Sequence, residues 1–161
     1  MTEGLNKITL LLYVVLTFLV CSCNSNVIFT DSVSMEKENW ALDNVPVFTP
    51  SIKDTLSSNN IFFTLRTGSS YPFRNIYFFV STSSPSGKTI TDTLQYILAD
   101  EKGKWYGKGS GDIHEMRLPF KTNVYFPAKG TYSFKVRHGM RNETLNGVYD
   151  IGLRIEKIKI K

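Results

Sequence analysis

The sequence predicts an all-β fold, an antiparallel β-sandwich of about seven to nine strands, with a closed β-barrel of about eight strands as the alternative. Three observations point there. Apolar residues recur with a period of two through most of the chain after Trp40, and aromatic and β-branched residues occupy those positions. Clusters of Gly, Pro, Asn, Asp and Ser break these runs at short intervals. Stretches able to form an amphipathic helix are scarce beyond the N-terminal segment, and Gly111 to Met116 is too short for more than one turn.

The chain opens on a different pattern. Ile8 to Val20 form an almost uninterrupted apolar run, preceded by Lys7 and followed by Cys21-Ser22-Cys23. Its length suits the apolar region of a secretory signal peptide and falls short of the roughly 20 residues that cross a bilayer. An uncleaved anchor helix or a buried N-terminal helix is the alternative. Val20, Cys21 and Ser22 precede Cys23, which puts an apolar residue at minus three and a small one at minus one; bulky Val20 directly precedes Cys21. Cys23 is therefore assigned as the acylated residue, residues 1–22 as a cleaved lipoprotein signal peptide, and 23–161 as the mature chain. Cys21 and Cys23 are the full cysteine complement. Once one leaves with the signal and acylation uses the other thiol, no disulfide can form, although the compartment is oxidising. Fatty acyl chains of the palmitate type anchor durably when more than one is attached, since each buried methylene adds about 0.8 kcal/mol and a single chain is marginal. The lipid bilayer is thus the first partner implied.

Residues 23–161 suffice for one domain with a single core. Lys7 and Glu3 leave together, so the net charge stays at +5. Basic residues are dispersed apart from Lys157, Lys159 and Lys161. With no basic helix, this argues against nucleic acid as a partner of an exported chain. Solubility accounts for the charge, and attraction to anionic headgroups or acidic surface polymers is the second reading. Residues 23–39 read as lipidated N-terminus and tether, polar except for Val27, Ile28 and Phe29, which can make a short first strand. Residues 40–161 read as the β-sandwich domain.

Within that domain, Ile61, Phe63 and Leu65 alternate with Phe62, Thr64 and Arg66. Ile76, Phe78 and Val80 alternate with Tyr77 and Phe79. Ile90, Leu94, Tyr96 and Leu98 oppose Thr89, Thr91, Thr93 and Gln95. Tyr132, Phe134 and Val136 alternate with Ser133, Lys135 and Arg137, and Ile151, Leu153 and Ile155 with Gly152, Arg154 and Glu156. Turns separate them at 67–70, 83–87, 100–103, 128–130 and 146–147. Apolar parity switches after Ile155, with Ile158 and Ile160 on even numbers. A one-residue shift flips the buried face, so a β-bulge is expected near Glu156-Lys157.

Chemistry-bearing motifs are few. His114 and His138 have no partner at helical metal-ligand spacing. Asp112, His114 and Glu115 make a weak divalent-metal pattern, for which a polar loop is the simpler explanation, and no metal site is assigned. His138 reads as a buried, satisfied structural residue. No Gly-x-Ser-x-Gly elbow occurs. The Gly-rich segment 107–111 contains Lys and Ser but lacks phosphate-loop spacing and the strand-loop-helix setting. No cofactor is implied. Trp40, Trp105 and Tyr106 can stack on sugar rings or pack as core and edge residues, and packing is favoured.

Several ordered motifs carry a family resemblance. Tyr71-Pro72-Phe73-Arg74-Asn75-Ile76-Tyr77-Phe78-Phe79 is similar to a "YPY-N-L-Y-F" strand. Residues 92–100, Asp-Thr-Leu-Gln-Tyr-Ile-Leu-Ala-Asp, resemble "DTLE-x-x-LAD". Residues 103–113 resemble "GKW-G-G-GDI", departing at Tyr106, where the pattern has a small or aliphatic residue. Met140-Arg141 and residues 147–156 resemble its "MR" and "G-DVGLRIE" end. These belong to the GldH gliding-motility lipoproteins of Bacteroidota, and the resemblance covers roughly residues 23–160. It implies an outer-membrane lipoprotein needed for gliding, associated with other gliding and type IX secretion proteins of the envelope. It implies no enzymatic activity and transfers one functional residue, the lipidated Cys23. No acidic cluster follows Asn24, Ser25 and Asn26, so the expected face is the periplasmic one. The expected function is a non-enzymatic assembly or scaffold lipoprotein; a glycan-binding module using Trp40, Trp105 or Tyr106 is the alternative.

Overall fold

The computed structural model describes residues 26–158. Residues 1–22, assigned above to a signal peptide, and Cys23 and Ile160 lie outside them. Strands in chain order are β1 (Val27–Ser34), β2 (Asn39–Ala41), β3 (Val47–Phe48), β4 (Ser51–Ile52), β5 (Asn59–Gly68), β6 (Asn75–Ser83), β7 (Thr89–Ile97), β8 (Lys108–Ser110), β9 (Ile113–Val124), β10 (Gly130–Thr131), β11 (Ser133–His138), β12 (Thr144–Asn146) and β13 (Val148–Lys157). One 3-10 turn, Glu36–Glu38, follows β1. A five-stranded sheet runs β1-β13-β5-β9-β8 and a four-stranded sheet β3-β11-β6-β7, with the short ladders β4–β10 and β2–β12 beside them. All strand pairs among the described residues are antiparallel and neither large sheet closes on itself, as a β-sandwich requires.

The period-two runs supply the two inner faces. Phe63, Leu65, Ile151, Leu153 and Ile155 of the larger sheet are buried, and so are Ile76, Phe78, Val80, Phe134 and Val136 of the smaller one. Phe63 meets Phe78 across the gap edge to face, with centroids 5.8 Å apart. Trp40, Phe48 and Leu145 complete the core.

Three expectations are corrected. Residues 27–34, assigned to the tether, pair with β13 from Val27↔Glu156 to Ser34↔Asp150. The folded body therefore starts at β1, because an edge strand needs only one apolar face and its polar residues can face water. His114 and Glu115, read above as part of a polar loop, stand instead in the longest described strand, β9 (residues 113–124), paired with β5. Pro119 sits in it where two register shifts bring Ile61 opposite Lys121 and Phe62 opposite Pro119, the placement at which a strand tolerates a missing N–H. Finally, β13 pairs with β5 without interruption through Glu156↔Asn60 and Lys157↔Asn59. β13 itself therefore takes up no extra residue there; the irregularity facing Glu156 is on β1, where Val27 pairs with Glu156 and Phe29 with Ile155. A shift within β13 lies at its other end, between Val148 and Asp150.

Two glycines are required by geometry. Gly147 has φ +75, and a Cβ there would run into the Tyr71 nitrogen. Gly152 lies in mid-strand, where a Cβ would meet Thr64 Oγ1 and come within 2.8 Å of the Asp31 carbonyl. The crowding comes from its own sheet neighbours.

Candidate functional site

The sandwich has two ends. At one, which we call the aromatic end, β1 finishes, β9 begins and the loops before β6 and after β7 meet. Trp105 stacks on His114 with centroids 5.1 Å apart and planes 15° apart, and Tyr71 lies 6.3 Å from Trp105. The Ala99↔Trp105 bridge and the Tyr106 N–H donating to the Leu98 carbonyl at 2.9 Å hold this loop on the strands. The Tyr71 hydroxyl donates to the Asn75 carbonyl at 3.0 Å, and burial raises its pKa above the ordinary phenol range. Burial likewise pushes Tyr96 up to about 12, and its hydroxyl donates to the Pro119 carbonyl at 2.8 Å.

The structure separates the three aromatics nominated from sequence. Trp40 is fully buried, its indole N–H donating to the Asn44 carbonyl at 2.8 Å, its ring against Phe78 and His138. It presents no face to a ligand, which corrects its nomination as a contact residue: the ring is worth more in the core than in water. Trp105 is half-buried, and Tyr106 is 66% exposed beside a groove of about 530 Å³ that also involves Tyr96, Lys108 and Arg117. The two exposed, coplanar rings that sugar stacking needs are not formed by this trio. Asp112 is exposed ahead of β9, while the His114 ring is taken up by Trp105. No three His, Cys, Asp or Glu residues gather as a metal cluster among the described residues. His138 is fully buried as expected, yet neither ring nitrogen has a hydrogen-bond partner among the described residues. Burial lowers its pKa below the ordinary value, the Trp40 backbone acts in the opposite sense, and the Arg137 charge adds to the lowering.

On the outer face of the five-stranded sheet, charges alternate across the strands. Arg66 pairs with Asp150, and Arg117 and Arg154 both pair with Glu156. Arg117 also lies 3.8 Å over the Phe62 ring. The bond from Arg66 to Asp150 raises the guanidinium pKa further. Burial alone would raise the Glu156 carboxyl, but its bonds from Arg154 and Arg117 outweigh it and hold the group below its usual range. Ser32 and Thr64 line a polar dish of about 560 Å³ together with these three arginines and Asp31, Glu115 and Asp150. Arg66, Arg117 and Arg154 face Asp31, Glu115 and Asp150 in its lining, so the dish has no surplus positive charge.

The other end, the tether end, is where the described chain enters and leaves. The Lys157 N–H donates to the Asn26 carbonyl and the Ile158 N–H to the Ser58 carbonyl, both at 2.8 Å. Three loops converge there: 53–58, 84–88 and 125–129. The β4–β10 pair joins the first to the third, as does a Ser58–Asn123 bond of 2.5 Å, and Pro85 packs against Gly130. Leu56 is 88% exposed and Tyr125 61% exposed, and Lys53, Lys88 and Lys129 are exposed without an ion pair among the described residues. Lys157 holds the Asp54 carboxyl well below the usual range, with Ser57 assisting. Sequence reasoning missed this grouping because its members come from loops far apart in the chain.

Comparison with known proteins gives a consistent result. The GldH lipoprotein family matches residues 27–155. The gliding motility lipoprotein GldH of Flavobacterium johnsoniae is 35% identical, over 94% of this chain and 96% of its own length. A GldH homolog of Christiangramia forsetii is 29% identical, over 91% of this chain and 93% of its own. Among solved structures, CBM35 from Cellvibrio japonicus Abf62 is 11% identical, covers 84% of this chain and 93% of its own, and has a TM-score of 0.29, too low to bear on fold or ligand.

Proposed function

The chain belongs to the GldH lipoprotein family, and from that premise we propose that it acts as a non-catalytic scaffold of the cell envelope, required for gliding and linked to type IX secretion. In this reading the signal peptide 1–22 is removed and Cys23 is acylated. The sandwich is then held at the periplasmic face of the outer membrane, where it contacts other gliding or secretion proteins. It needs no cofactor. One observation supports this above the others: the family match spans nearly the whole described body, 27–155, so the sandwich itself is what the family shares.

Deletion of the gene, scored for spreading on agar and for protein secretion, tests the proposal. Loss of both is expected, with restoration by the intact gene and not by a Cys23→Ala version. Wild-type behaviour in both assays overturns the role. Loss of spreading with normal secretion keeps the motility role and removes the secretion link.

A further inference from the structure

We infer that the tether end of the sandwich is itself a bilayer-docking face, in which Leu56 and Tyr125 enter the headgroup region while Lys53, Lys88 and Lys129 meet anionic lipid. The inference rests on the acylation of Cys23 proposed above. Cys23 precedes Asn26 by three residues, which span about 11 Å at most when fully extended. Asn26 is fixed to the end of β13 through Lys157. An acyl chain inserted at Cys23 therefore cannot leave this end of the body far from the membrane surface, and the loops at this end of the two sheets are the ones that face it.

The chemistry of those loops suits that position. A single exposed apolar residue needs no explanation, but here an 88% exposed Leu56 and a 61% exposed Tyr125 project from loops flanking one strand pair, Asn59↔Val124. Tyrosine favours the membrane interface, where its ring is dehydrated and its hydroxyl stays wet. Three lysines without ion pairs among the described residues surround them, and Lys159 and Lys161 follow Ile158 in sequence. Lysines near an anionic surface add attraction that falls off within a Debye length. The aromatic end has no such surplus. Its exposed Glu36, Glu38, Glu101 and Asp112 stand among Lys37, Lys102, Lys104 and Lys108.

The test uses the acylated mature protein on mixed phosphatidylethanolamine and phosphatidylglycerol vesicles containing chain-brominated lipid. Leu56→Trp and Tyr125→Trp report from the tether end and Tyr106→Trp from the other. Emission added by the first two should fall about two-fold or more on brominated vesicles, while that added by Tyr106→Trp stays unchanged. Lys53→Glu, Lys88→Glu and Lys129→Glu combined should remove most of the difference. If Cys23 carries acyl chains by mass spectrometry and Leu56→Trp is quenched no more than Tyr106→Trp, docking is wrong and the anchor stands. Shielding of Leu56→Trp by a protein partner without lipid quenching overturns it equally. An unacylated Cys23 removes the premise and the inference together.

Discussion

The two ends of the sandwich each expose a tyrosine, Tyr106 at one and Tyr125 at the other, and differ in the packing and the charge around it. At the aromatic end, Trp105, His114, Tyr71 and Phe73 contact one another, and Tyr71 is almost fully buried. At the tether end, Leu56 and Tyr125 stand in solvent among exposed lysines. Aromatic composition alone does not mark a contact surface. Rings near Trp105 stabilise the fold, whereas the exposed residues at the other end cost hydration without returning packing. Changes at the first end should therefore be read in stability and changes at the second in attachment.

The largest expected effect is in the core beneath the aromatic end. Trp40→Ala should lose about 3–5 kcal/mol in denaturant unfolding, since it empties a fully buried indole site. A loss below about 1 kcal/mol would show that Trp40 is not packed as described. Gly147→Val comes next, at about 1–3 kcal/mol, because φ +75 strains a β-branched residue and its Cβ meets the Tyr71 backbone. Unchanged stability would mean that the turn relaxes.

His138 gives a smaller and pH-dependent effect. Its folded pKa is lowered from 6.5, chiefly by burial, so below about pH 6.5 the unfolded chain binds a proton that the fold excludes. Stability then rises with pH across this window and is lost as pH falls from the ordinary imidazole value toward the folded one, by at most about 1.4 kcal/mol per pH unit. Asp54 and Glu156, also lowered, start from 3.8 and 4.5, so their contributions persist until more acid conditions. Urea unfolding at pH 7, 6 and 5 should show the slope, and His138→Phe should flatten it. An equal slope in the variant assigns the effect elsewhere.

The smallest stability effect belongs to the tether end. Leu56→Ser with Tyr125→Ser should change unfolding free energy by less than about 0.5 kcal/mol, as exposed substitutions do, while weakening vesicle contact. A stability loss comparable to that of Gly147→Val would erase the distinction between the ends.

Sequence patterning revealed the parts of the fold that depend on local alternation. The runs at 61–65, 76–80 and 151–155 lie within β5, β6 and β13, and the run at 132–136 starts one residue ahead of β11. Residues 113–124 were harder to read because Pro119 interrupts the run and its tolerance depends on register shifts against β5. The membership of 27–34 depends on pairing with residues more than a hundred positions away, which no local composition reports. Trp40 and Trp105 look alike as residues, and only the packing of the two sheets makes one core and the other half-exposed. The tether-end grouping joins positions 53, 56, 88, 125 and 129 through turns whose meeting is tertiary.

The proposed orientation depends on acylation of Cys23. The mass of the N-terminal peptide from envelope-extracted protein measures that directly. The expected product begins at Cys23 and carries fatty acyl chains. A chain retaining Met1, or beginning elsewhere with Cys23 unmodified, would contradict it.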